Sequence, residues 1–138
     1  MKAYDPLKIR PRRDWVIALA EPRRARVGLI ILTEEETGIE KVTEGVCRII
    51  RVGPGKMNEA MGLKAGMRVA YRSYLRFANH ITCRQYWRSD EVPWIGDLAL
   101  VKEHFFLASN DIICEVEEGV DIGVFSRPEN QVTDKKVK

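Results

Sequence analysis

His80 and Cys83 stand three residues apart, with His104 and Cys114 further along the chain. Imidazole and thiolate are the donors zinc prefers, but a zinc site draws them in tighter pairs than these. Core cysteines and incidental histidines are the simpler reading. The stretch GPGKMNEAMG (53–62) offers glycines and a lysine. It lacks the spacing and the Ser/Thr of a phosphate-binding loop. No nucleophile, base and orienting group can be picked out together. The residues therefore predict neither an enzyme, a metal site nor a bound cofactor.

One stretch suits binding better than catalysis. In VGLIILTEEETG (27–38), the apolar run Leu29–Leu32 lies between Arg23, Arg24 and Arg26 on one side and Glu34, Glu35 and Glu36 on the other. Such a run is either a buried strand or an adhesive element presented to another surface. The surrounding segment 21–43 carries too little apolar surface to offset an ordering cost of roughly 1–2 kcal/mol per residue. It is therefore expected to be a mobile loop.

The elements flanking this segment read as strands. Pro6 and Pro11 bracket LKIR, predicted to be extended. DWVIALA (14–20) is rich in β-formers and is closed by Glu21-Pro22. EGVCRIIRVGPG (44–55) is a second strand, ended by Gly-Pro-Gly. KMNEAMGLKAG (56–66) is a connection with room for one helical turn. MRVAYRSYLRF (67–77) alternates at the strand period. DLALVKEHFFLA (97–108) has room for two short strands, Ser109-Asn110-Asp111 is a turn, and IICEVEE (112–118) is the last strand. Short strands between turn signals predict an all-β chain, a small barrel or sandwich.

Composition sets the outer bounds. The chain has 138 residues, 45% hydrophobic and 31% charged, with net charge +3. That fits one soluble domain with its own core. No apolar run is long enough to span a bilayer, and MKAYDPLKIRPRR lacks the apolar core of a signal peptide. Three scattered cysteines (Cys47, Cys83, Cys114) favour free, buried thiols in a reducing compartment. The cytoplasm is the expected location.

The order of these pieces resembles the co-chaperonin (chaperonin-10, GroES) family. Ile9, Pro11, Asp14, Val16-Ile17-Ala18, Gly28 and Ile30-Ile31-Leu32 fall at the spacing of the family signature. VGPG (52–55), LKAGMRVAY (63–71) and SNDIICEVE (109–117) are similar to its later strand ends, turn and closing strand. The likeness covers most of residues 7–118, and it departs at Arg12, Trp15 and Leu19. It implies a GroES-like small β-barrel over residues 1–120, with a long mobile chaperonin-binding loop at 21–43. It also implies a roof region shortened to 54–62, an insertion at 78–104 and a polar tail at 121–138. These differences fit a divergent member, of the kind a virus could encode, working then in the host cytoplasm.

The implied function is a heptameric lid on a large, GroEL-like chaperonin-60 ring, enclosing unfolded client proteins. ATP is bound by the partner. Docking would fall to Gly28, Leu29, Ile30, Ile31, Leu32 and Thr33. Leu7, Lys8, Ile9 and Arg10 of one subunit would pair with Ile112, Ile113, Cys114, Glu115 and Val116 of the next. The plainer alternative pairs those two segments within one chain. YWRSDEVPW (86–94) either packs under the extra loops or remodels the wall of the folding chamber.

A rival class is a basic nucleic-acid-binding β-barrel. The arginines are numerous, among them Arg10, Arg12, Arg13, Arg48, Arg51, Arg72, Arg84 and Arg88. Twenty acidic residues dilute their field, and no strand carries the aromatic pattern of an RNA-recognition sheet. Nucleic acid is the less favoured partner on sequence grounds.

Overall fold

The computed structural model describes residues 3–22, 44–75, 78–93, 96 and 99–120. These form an antiparallel, mostly β structure. The strands are β1 (Trp15–Ala20), β2 (Glu44–Val52), β3 (Arg68–Arg72), β4 (His80–Ile81), β5 (Tyr86–Trp87), β6 (Leu100–Val101), β7 (His104–Ala108) and β8 (Ile112–Glu115), with one short helix, α1 (Lys56–Ala60). Six strands make one sheet in the order β4-β7-β1-β2-β3-β8, and β5 and β6 pair separately. No helix among the described residues is long and apolar enough to cross a membrane.

The strand β1 lies at the centre because its sequence suits burial on both faces. Val16, Ile17 and Ala18 are fully buried in succession, as expected of a strand covered on each side. It pairs with β7 through Trp15↔Ala108 to Leu19↔His104. With β2 the register runs from Val16↔Val52 to Ala20↔Cys47, with a bulge after Ile17. The core gathers Val16, Ala18, Cys47, Ile49, Val69, Tyr71, Phe105 and Leu107. Tyr71 and Phe105 meet with ring centroids 5.1 Å apart, tilted by 50°, an arrangement that adds to plain area burial.

Four expectations need correction. Pro6–Lys8 is a 3-10 turn rather than an extended piece. Proline presets φ for its first position, and the Asp5 carboxylate accepts the Leu7 amide at 3.0 Å. The third strand ends at Arg72 rather than Phe77: Ser73 is buried, and Tyr74 and Leu75 turn outward at 80% and 61% exposure. The last strand stops at Glu115, four residues after its 3-10 lead-in. Cys47 and Cys83 are buried and in no disulfide, but Cys114 is exposed.

Candidate docking and assembly sites

The stem of the segment 21–43 is built by strand pairing. The Ala20↔Cys47 pair closes the β1–β2 ladder, and the Glu21 amide donates to the Val46 carbonyl at 3.0 Å. Chain therefore leaves β1 and enters β2 side by side. Gly28, Leu29, Ile30, Ile31, Leu32 and Thr33 themselves lie outside the described residues.

An ion-pair seam braces this stem. The Arg68 guanidinium donates to both carboxylate oxygens of Glu21, one at 2.9 Å, and to the carbonyls of Glu117 at 2.8 Å and Val120 at 2.6 Å. Arg68 is largely buried, with its side chain 11% exposed. Beside it, Arg48 grips Glu118 with two 2.8 Å bonds and reaches the Gly66 carbonyl at 3.0 Å. The hydrogen bond from Arg48 holds the Glu118 carboxyl below its ordinary pKa, and the same bond raises that of Arg48. The seam ties β2, β3, the stem and the chain beyond β8 into one unit. Sequence spacing gave no signal for it, because Arg68 and Glu21 are far apart in the chain.

The 78–104 region also reaches the stem. Trp87, Val92 and Pro93 face Leu19, Glu21 and Pro22 across a cavity of about 450 Å³. Lys102 lies over the Trp87 ring, 5.0 Å from its centroid, and 3.7 Å from a Glu91 oxygen. Of the aromatic stretch, Tyr86 is exposed and Trp87 half-buried. His80 pairs with Phe105 and Ile81 with His104 across β4 and β7. Among the described residues no three His, Cys, Asp or Glu side chains stand together as metal ligands.

The expected assembly residues occupy different parts of the sheet. Ile112, Cys114 and Glu115 pair with Tyr71, Ala70 and Val69 of β3. The outer side of β8 is a sheet edge, with Ile113 51% exposed there and Val116 buried beside it. Leu7, Lys8 and Arg10 are exposed and Ile9 half-buried. Arg51 donates a hydrogen bond to the Leu7 carbonyl. Further back, the Tyr4 amide reaches the Thr82 carbonyl, just past β4 at the opposite edge. Residues 7–10 thus do not pair with β8 inside this chain.

The start of β1 and the end of β2 are locked by a device the sequence did not reveal. Asp14 Oδ1 accepts the amides of Met57 at 2.8 Å and Asn58 at 3.3 Å, which starts α1. The buried Asn58 amide donates to the carbonyls of Gly53 at 3.0 Å and of Arg13 and Trp15, each at 3.3 Å. A Cβ on Gly53 would sit 2.5 Å from the Arg13 carbonyl oxygen, so only glycine allows this approach.

No family model matches the chain, and no curated protein matches it.

Proposed function

We propose that the chain is a co-chaperonin of the GroES-like barrel type, a heptameric lid that docks on a large chaperonin ring. One observation carries this reading. The segment holding the signature residues Gly28 and Ile30-Ile31-Leu32 connects ends of β1 and β2 that pair side by side, Ala20 with Cys47. The apolar centre with charged flanks is what a docking element requires.

The energetics suit a reversible lid. Burying three Ile or Leu side chains yields perhaps 5–9 kcal/mol gross, at about 1.5–3 kcal/mol each. Ordering a handful of residues removes most of that, at about 1–2 kcal/mol per residue. One element binds weakly. Several on one ring raise apparent affinity by roughly 10²–10⁴ without new contacts. ATP bound by the partner can then release the lid. The open edge of β8 is suited to pairing with a neighbouring subunit, which would cover an otherwise adhesive edge; of the stretch 7–10, Ile9 and Arg10 lie beyond the 3-10 turn, Ile9 with extended backbone. In this reading the stretch 54–62, largely α1 and its flanks, is the shortened roof region. Trp87, Val92 and Pro93 line a cavity shared with the stem residues Leu19, Glu21 and Pro22, and clients would be enclosed beneath the lid, in the cytoplasm.

The test is Ile31→Ser and Ile31→Asp, measured by capture on a chaperonin-60 ring with ADP and by thermal unfolding. The expected result is lost capture with unchanged melting temperature. Unfolding of either variant would make Leu29–Leu32 part of the core and overturn the reading.

A further inference from the structure

The topology brings six cations to one end of the sheet, the end away from the docking stem. Lys8, Arg10, Arg12 and Arg13 come from the N-terminal strap, Arg51 from the end of β2, and Lys56 from the start of α1. Backbone bonds hold them in register. The Gly55 amide donates to Arg13 O at 2.8 Å and the Gly53 amide to Trp15 O at 2.9 Å, while the Arg51 guanidinium itself donates to Leu7 O. Arg13 is held at φ 54°, a left-handed conformation fixed by this close packing. Arg10, Arg12, Arg13 and Lys56 are exposed. None of the six forms an ion pair among the described residues, whereas Arg48, Arg68, Arg88 and Lys102 all do. The carboxylates at this end are Asp14, Glu59 and Asp111, the last in the 3-10 turn whose Ser109 amide donates to Asp14 O. Asp14 is occupied in accepting the backbone amides of Met57 and Asn58.

We propose that this end is a sequence-neutral binding surface for the phosphate backbone of nucleic acid. Four of the six cations are arginines, whose planar fork matches phosphate oxygens two at a time. No exposed aromatic ring interrupts the stretch from Lys8 to Arg13, so the surface has no platform for stacking unpaired bases. Duplex is the better fit. The surface is separate from the docking segment, shares Lys8 and Arg10 with the stretch proposed for subunit pairing, and is measured with no chaperonin present.

Binding about four phosphates gives a slope of log K against log salt near −3.6 on duplex DNA, at about −0.9 per phosphate. The experiment is fluorescence anisotropy of the full chain with a labelled 20-base-pair duplex between 50 and 200 mM salt, with thermal unfolding as a folding check. Arg12→Gln with Lys56→Gln should flatten the slope by about 1.8. Arg13→Asn, which keeps a residue tolerant of the left-handed conformation, should flatten it by about 0.9. Arg84→Gln with Arg88→Gln, away from this end, should leave it unchanged. Equal losses from both double variants would reduce the binding to diffuse charge and overturn the proposal. So would absence of duplex binding at 50 mM salt, tighter binding to single strands, or equal affinity for a polyglutamate of matched charge.

Discussion

Removing the Asn58 amide should unlock β1 from β2, and the structure allows the loss to be worked out. The side chain is 1% exposed, and its two N–H groups are shared among three carbonyls. Two of those carbonyls keep another partner: Arg13 O still accepts from Gly55 N, and Trp15 O from Gly53 N. Gly53 O loses its partner among the described residues. A buried acceptor left unsatisfied costs about 1–3 kcal/mol, and the second bond contributes about 0.5–1.5 kcal/mol more. Against this, Asn58 Oδ1 is already buried without a partner, so its removal recovers something. The net for Asn58→Ala is about 2–3 kcal/mol, or roughly 10 °C in melting temperature for a domain of this size. Asn58→Asp sharpens the test. It sets carboxylate oxygens against three carbonyls, so the folded state favours the protonated acid and raises its pKa. That variant should be worse than alanine at pH 7 and recover as pH falls towards 4. Urea unfolding at both pH values, with unchanged m, is the assay. A loss under 0.5 kcal/mol for Asn58→Ala, or an Asp variant insensitive to pH, would refute the clamp.

Other outcomes follow from the same physics. His104 is buried, and that burial, with Lys102 and His80 nearby opposing the Asp5 charge, lowers its pKa. Its neutral form belongs to the fold, so stability should hold above the ordinary histidine value and fall as pH drops below about 6.5. Melting temperatures at pH 7.5 and 5.5 should separate for the native chain and draw together for His104→Gln. Arg68→Met should cost about 2–3 kcal/mol in urea unfolding, since it strands a partly buried Glu21 and two carbonyls. Glu118→Gln, at the exposed end of the seam, should be much milder. Ile113→Lys, on the open edge of β8, should leave the melting temperature of the free subunit unchanged and abolish the ring by sedimentation. Maleimide labelling of the exposed Cys114 should slow in the assembled native chain and not in that variant.

The strands that the sequence displayed are those that segregate apolar residues cleanly. The WVIALA run announces β1 because apolar residues accumulate where both faces are covered, and VCRIIRV announces β2 by its β-branched residues, with Cys47 and Ile49 buried between half-buried neighbours. MRVAYRSYLRF kept an alternating pattern past the real end of β3, because Tyr74 and Leu75 look like strand residues but lie in an exposed turn. The strands β4 and β5 span two residues each, too short to show a period. Pro6 concealed a 3-10 turn behind a rule that excludes only the helix interior. Asn58, Arg13 and Arg68 were illegible for one shared reason. Asn58 donates to the Arg13 and Trp15 carbonyls and Arg68 to the Glu21 carboxylate, all more than forty residues away, and side-chain type alone does not reveal such a meeting. The basic end was visible only as a scatter of arginines until topology gathered it.

The most direct test of the co-chaperonin reading is native mass spectrometry of the purified chain, alone and then with a chaperonin-60 ring plus ATP or ADP. The predicted result is a heptamer that joins the chaperonin only when nucleotide is present. A monomer that ignores the chaperonin under all of these conditions would contradict it.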